Sequence, residues 1–353
     1  MSCKVLFLVI AALLLAPFAL GQSYTLTNLG TLRQGSARVH GINSQGQIVG
    51  GSGHPHGSDT HAFLWTKKGG MKDLGFLSGG DYSVAMAIND AGQVVGTSNS
   101  TNGIHGFLWT NADGLTQLPS LQGTDNSSAY AIDQSGQIAG ASGSHAALWM
   151  GNSIKDLGAL GGTWSEAHGL NNAGQVVGVA DTPSGSRAFL WADGSGMKDL
   201  GVLPDDSSSR ANHISDQGEV VGASEGMGGV RAFLWTNSGG MRALASLPSG
   251  GYSEAFGINS LGQVVGQSGS SVGTRAVLWS GGSVTDLNDL VMDLPVGTIL
   301  TGAFSINDQG QIVAFGVSNP RLNKDRQARM DDHLHSGPTH VYLLTPQSAS
   351  TAP

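Results

Sequence analysis

One ten-residue pattern recurs seven times along the 353 residues, and three features of that recurrence predict an all-β fold. The fold is a seven-bladed β-propeller with four-stranded blades, its ring closed by the N-terminal strand pairing in the last blade. The first feature is the period. Gly46, Gly92, Gly136, Gly174, Gly218, Gly262 and Gly310 occupy the same place in each copy, at intervals of 38 to 48 residues. The second is the content of one period: four short β-like runs, typified by a first strand ending in Ile-Asn, then "GQVVG", "HAFLW" and "MKDLG", without helical periodicity. The third is composition. Glycine at 55 of 353 residues is about twice the ordinary share of roughly 7%, and charged residues at 12% are about half theirs, which suits tight turns and few exposed helices. Hydrophobic residues at 39% are enough to bury a core.

Residues 1–21 stand apart. Lys4, the apolar run Val5–Leu15 and the small-residue ending Ala19-Leu20-Gly21 read as a secretory signal peptide, and the run is short for the roughly 20 residues of a membrane span. Gln22 follows where a lipoprotein would have cysteine. Cys3, the only cysteine, lies inside the leader, so the mature chain is expected to have neither disulfides nor thiolate chemistry. A net charge of −8 with no basic stripe argues against nucleic acid. The expected protein is secreted or periplasmic, monomeric, and free of the membrane after cleavage.

Residues 22–346 form the propeller, and 347–353 a disordered tail. The opening "YTLTNLGTL" matches a fourth strand with no first three before it, while "HVYLLTP" at 340 is a third strand with no fourth behind it. The two complete one blade between them. Tyr24, Leu26 and Leu29 are expected to be buried there. In the "INxxGQ" junction, Asn or Asp at the first turn position bonds its own backbone, and the Gly three residues on takes the left-handed conformation. In the first strand, counted back from the Ile of "IN", positions −1 and −3 are mostly Gly or Ala, as at Ala85 and Ala87 or Ala167 and Gly169. Small side chains there let neighbouring sheets approach near the axis.

The run "DLGxLxGGxxSxAxxINxxGQVVGxS…HAFLWT", with its ending "DLNDLV…LTGAFSINDQGQIVAFG…HVYLLTP", resembles the HAF-repeat family of extracellular bacterial proteins, named for the triplet that stands here as His61-Ala62-Phe63. The resemblance covers essentially all of the mature chain and implies an exported, propeller-like repeat protein without an established activity. Some relatives carry a C-terminal sorting segment; this chain ends "TPQSASTAP", which points to release rather than retention.

The third strand opens with His61, His105, His145, Arg187, Arg231, Arg275 or His340. Recurrence in all seven units points to blade-to-blade bonding rather than a cationic surface for an acidic polymer, because function breaks symmetry. The Trp series from Trp65 to Trp279 is read as core. Variable positions are more informative. Position −2 holds His40, Met86, Tyr130, His168, Asn212, Phe256 and Phe304, and position −4 holds Arg38, Val84, Ser128, Glu166, Arg210, Glu254 and Gly302. If these strands line the axis, Arg38, His40, Glu166, His168, Arg210 and Glu254 form a polar ligand surface at one channel mouth. The alternative is half-buried residues between sheets. His54, His56, Asp59 and His61, and Asp331, Asp332, His333, His335 and His340, have metal-ligand types without a recognised signature, so no metal and no cofactor is expected.

No nucleophile elbow, H-E-x-x-H, phosphate loop or dinucleotide fingerprint is present. The function expected is therefore a binding or scaffolding module for an extracellular glycan or protein. Two alternatives stay open: a hydrolase or lyase acting on polysaccharide, with Glu166 and Glu254 as acid and base, and a surface structural or adhesive protein.

Overall fold

The computed structural model describes residues 22–32, 35–53, 60–318 and 339–347. The leader, the His54–Asp59 segment, the Asp331–His335 cluster and most of the C-terminal tail lie outside them. Seven four-stranded antiparallel sheets form the blades of a β-propeller. Blade 1 runs Ser36–Ile42, Ile48–Gly53, His61–Thr66 and Gly70–Gly75 from the axis outward, and blades 2 to 6 repeat that order. Blade 7 takes Thr298–Ile306, Ile312–Ser318 and Thr339–Pro346 from the C-terminal end and Tyr24–Asn28 as its outermost strand. The register sets Thr27 opposite Leu343 and Asn28 opposite Tyr342, as the incomplete first and last units require. Tyr24 and Leu29 are buried, whereas Leu26 is only partly so because it lies at the edge of its hydrophobic cluster.

The turn chemistry follows from the sequence. Gly46 has φ +70° and donates to Asn43 O at 3.1 Å, while Asn43 Oδ1 accepts from the backbone N–H of Gln45 and of Gln47. A Cβ on Gly41 would lie 3.2 Å from Ala87 Cα of the next blade, which accounts for the small residues at −1. Each inner strand also carries a β-bulge that the repeat pattern does not announce. Val39 pairs with Gly50 and Gly41 with Val49, so His40 is the extra residue, and the same skip falls at position −2 in every blade. The bulge brings the −4 carbonyl over the second strand, and a Cβ on Gly50, Gly96, Gly140, Gly178, Gly222 or Gly266 would collide with it. That collision is the reason for the Gly in "VVG".

The hydrophobic clusters sit between blades. Trp65, Trp109, Trp149, Trp191, Trp235 and Trp279 are all buried, and lysines of neighbouring outer strands cover three of them, as Lys72 does Trp109 at 4.8 Å. Blades are further tied by serines at position −5: Ser83 Oγ accepts from Ala62 N at 2.8 Å, and Ser127, Ser165, Ser209 and Ser253 repeat the bond. The third-strand cations behave differently from expectation. His61, His145 and Arg275 pair with Asp73, Asp156 and Asp286 of their own blades, since each Asp lies opposite the residue two along the third strand (Phe63, Ala147 and Val277) and so on the same face of the sheet. Arg187 does reach the next blade, at Ser207 O.

Candidate functional site

The bulge decides what faces the axis. The extra residue of each inner strand lines a cavity of about 420 Å³ in the centre of the ring, to which all seven blades contribute. Around it stand His40, Met86, Tyr130, His168, Asn212, Phe256 and Phe304, joined by Glu166 from position −4. Phe256 and Phe304 stack with ring centroids 5.0 Å apart, and Tyr130 meets His168 edge-on at 6.1 Å. Aromatic faces thus cover one side of the cavity and polar groups the other.

The polar side is organised around Glu166. His168 Nδ1 lies 2.9 Å from Ala211 O; a carbonyl only accepts, so Nδ1 carries the proton and Nε2 turns toward Glu166 Oε2, 3.9 Å away. The imidazole and then the Tyr130 hydroxyl hold the Glu166 carboxyl below its ordinary value, against the opposing effect of burial. Burial and the bond to Glu166 push the Tyr130 phenol up. His40 stands across the cavity, its imidazole pushed down to about 4 by burial and by the nearby Arg38 charge. Arg38 itself is exposed, at a side cavity of about 280 Å³ that shares His40 and Phe304 with the central one.

Arg210 and Glu254 are paired with each other. They bond each other at 2.7 Å, and Glu254 also accepts from Asn212 at 3.2 Å and from the Tyr252 hydroxyl at 2.9 Å. Glu254 is only 7% exposed. Of the six residues singled out from sequence, His40, Glu166 and His168 meet in the central cavity, Arg38 adjoins it, and Arg210 and Glu254 neutralise one another beside it.

Two features escaped sequence reading. His213 occupies a −1 position where other blades have Gly, Ala or Ser; it reaches the channel, its Nδ1 buried without a partner among the described residues and its imidazole held below its ordinary value by burial. The departure from small residues was the available signal. The second is the opposite mouth, a space of about 290 Å³ ringed by the turns, where Asp90, Asp216 and Asp308 recur at one turn position.

The sequence matches no protein-family model, and no curated protein matches it. Solved structures do. The virginiamycin B lyase from Staphylococcus aureus superposes with a TM-score of 0.57 at 11% identity, over 91% of this chain and 99% of that one. A streptogramin B lyase gives 0.57 at 11%, over 92% and 98%. The β-propeller domain of the Trilobed protease from Pyrococcus furiosus, which has an open velcro topology, gives 0.51 at 11%, over 73% and 84%. Identities this low establish a shared propeller fold and no activity.

Proposed function

We propose that the chain is an exported binding module that holds one sugar unit of an extracellular glycan in the central cavity. The observation that carries this reading is the pairing of stacked Phe256 and Phe304 with Glu166, His168 and Asn212 around a space of about 420 Å³. Apolar ring faces over a few fixed polar groups, in a pocket of roughly 300 to 1,000 Å³, suit a compact polyhydroxylated ring. Export rests on the leader. Turnover is disfavoured by the charges: a glycosidase needs one carboxyl kept protonated beside a second free carboxylate, whereas Glu166 is shifted toward ionisation and Glu254 is occupied by Arg210, Asn212 and Tyr252.

Calorimetric titration with a panel of neutral and acidic oligosaccharides tests the proposal, beside a reducing-end assay on the same panel. Binding without new reducing ends is expected, and Phe256→Ala with Glu166→Gln should weaken it at least about tenfold, the loss of a stacking face and a charge-assisted bond. Binding indifferent to both changes, or no glycan bound, overturns the assignment. Released reducing ends would make the protein an enzyme.

A further inference from the structure

The turn-side mouth of the channel repeats one hydrogen-bond device and breaks it in an informative place. Asn43 Nδ2 donates to Asn89 O of the next blade at 3.1 Å, Asn89 to Asp133 O at 3.1 Å, Asn171 to Ser215 O at 3.0 Å, Asn259 to Asn307 O at 3.1 Å, and Asn307 to Asn43 O at 2.9 Å. Each buried amide links two blades, and the last bond closes the circle. Ser215 simply ends short. Asp133 is different in kind.

Asp133 stands in blade 3 where five blades have asparagine. Its Oδ1 accepts from the N–H groups of Ser135 and Gln137, as the asparagine Oδ1 atoms do. Its Oδ2 takes the place of the donating amide nitrogen and, among the described residues, has no hydrogen-bond partner. Among the described residues, Asn171 O, which the missing amide would reach, keeps only the Gly174 N–H at 3.0 Å. Asp133 is only 5% exposed and lines the mouth cavity together with Asn171. A carboxylate oxygen of a buried side chain thus stands where the repeat places an N–H donor toward the Asn171 carbonyl. Two acceptors so placed repel unless a hydrogen-bond donor or a positive charge lies between them.

We propose that this break in the ring is a binding site for a hard divalent cation of the calcium class, held between Asp133 Oδ2 and Asn171 O and linking blade 3 to blade 4. All-oxygen, irregular ligation favours calcium over magnesium, which demands an octahedron, and over zinc, which prefers nitrogen and sulfur. Asp90, Asp216 and Asp308 around the same mouth add a negative potential that draws a cation in. Among the described residues no three His, Cys, Asp or Glu side chains gather at one point; one carboxylate, backbone carbonyls and water make the shell. The affinity belongs at the weak, extracellular end of the calcium range, about 10⁻⁴ to 10⁻³ M.

Thermal unfolding of the full chain in chelator and in about 5 mM calcium chloride, a concentration above that range, tests the site, with calorimetric titration of calcium alone. Calcium is also the probe to which histidine-rich segments respond least. The wild type should unfold a few degrees higher with calcium. Asp133→Asn rebuilds the missing amide link, so it should abolish the response and unfold, in chelator, above the wild type. Asp133→Ser, which copies blade 5, should also abolish the response and serves if the first variant does not fold. A wild type indifferent to calcium overturns the proposal, and so does a calcium shift that survives in either variant.

Discussion

Truncating two side chains of the N-terminal segment tests how the ring closes. Tyr24 packs with Leu287, Leu300 and Leu344 in the cluster between blades 6 and 7, and Leu29 with Ile48, Val341 and Leu343 in the cluster between blades 7 and 1. One short segment therefore fills both interfaces of the last blade. An aromatic-to-alanine truncation in a core costs about 3 to 5 kcal/mol. Tyr24 Oη, however, is buried without a partner among the described residues, and its removal returns about 1 to 3 kcal/mol, leaving a net cost of about 2 kcal/mol for Tyr24→Ala. Leu29→Ala adds about 2 to 5 kcal/mol, and because the clusters share no residue the two costs add to about 4 to 7 kcal/mol. A typical domain has about 5 to 15 kcal/mol to lose. Equilibrium urea unfolding should show the double variant near the limit of folding. Deleting residues 23–30 should go further and aggregate, since it bares the edge of Thr339–Pro346. A double variant with an unchanged midpoint, or a deletion that stays monomeric and equally stable, would refute closure by this strand.

The same tyrosine yields an opposite expectation for a gentler change. Tyr24→Phe keeps the packing and removes the unsatisfied hydroxyl, so the urea midpoint should rise by about 1 kcal/mol equivalent; a fall of that size would show a partner for Oη. The Tyr24 phenol is pushed up to about 12 by burial, so the wild type should lose stability more steeply than Tyr24→Phe as pH climbs from 10 toward 12, the raised phenols of Tyr130, Tyr252 and Tyr342 acting equally in both. His40 sets an acid limit. Its folded value of about 4 lies below the unfolded 6.5, so the unfolded chain takes the proton first: the stabilising difference is whole above pH 6.5 and disappears as pH falls toward 4, by at most about 3 kcal/mol. Buried His213 acts in the same direction. His40→Gln should flatten the decline between pH 6.5 and 4, and parallel profiles for variant and wild type would contradict the assignment.

The fold was legible because each local requirement is met seven times over. Asn43 and Gly46 encode a turn, Gly41 a close approach, and the half-blades at the two ends encode their own joining. What stayed hidden acts between residues that no local pattern connects. The second bond of Asn43 goes to Asn89 O, 46 positions on, and a turn rule that explains Oδ1 leaves Nδ2 unexamined. The bulge at His40 has no residue-type signature beyond the glycine it imposes on the facing strand. The pairing of Arg210 with Glu254 was within reach of the sequence: opposite charges at one repeat position in adjacent blades are neighbours by construction.

The bulge also explains why a site can vary on a scaffold that cannot. Positions −3 and −1 press against adjacent blades: Ala85 and Ala255 are wholly buried, and a Cβ on Gly257 would stand 3.3 Å from Ser305 Cα. A larger side chain there must displace a neighbour or, as His213 does at −1, reach into the channel. Position −2 has no residue opposite it in the ladder, because the bulge gives it none, and its side chain projects into open axial space. Histidine, methionine, tyrosine, asparagine and phenylalanine are therefore all accommodated at the same backbone position. The glycine of the second strand lets the backbone take this shape, and it recurs in six blades with Ala314 in the seventh, where a further shift at Leu300 and Gly302 alters the crossing. Conformation is thus fixed by the residues that repeat, and the chemistry of the cavity by residues the fold leaves unconstrained.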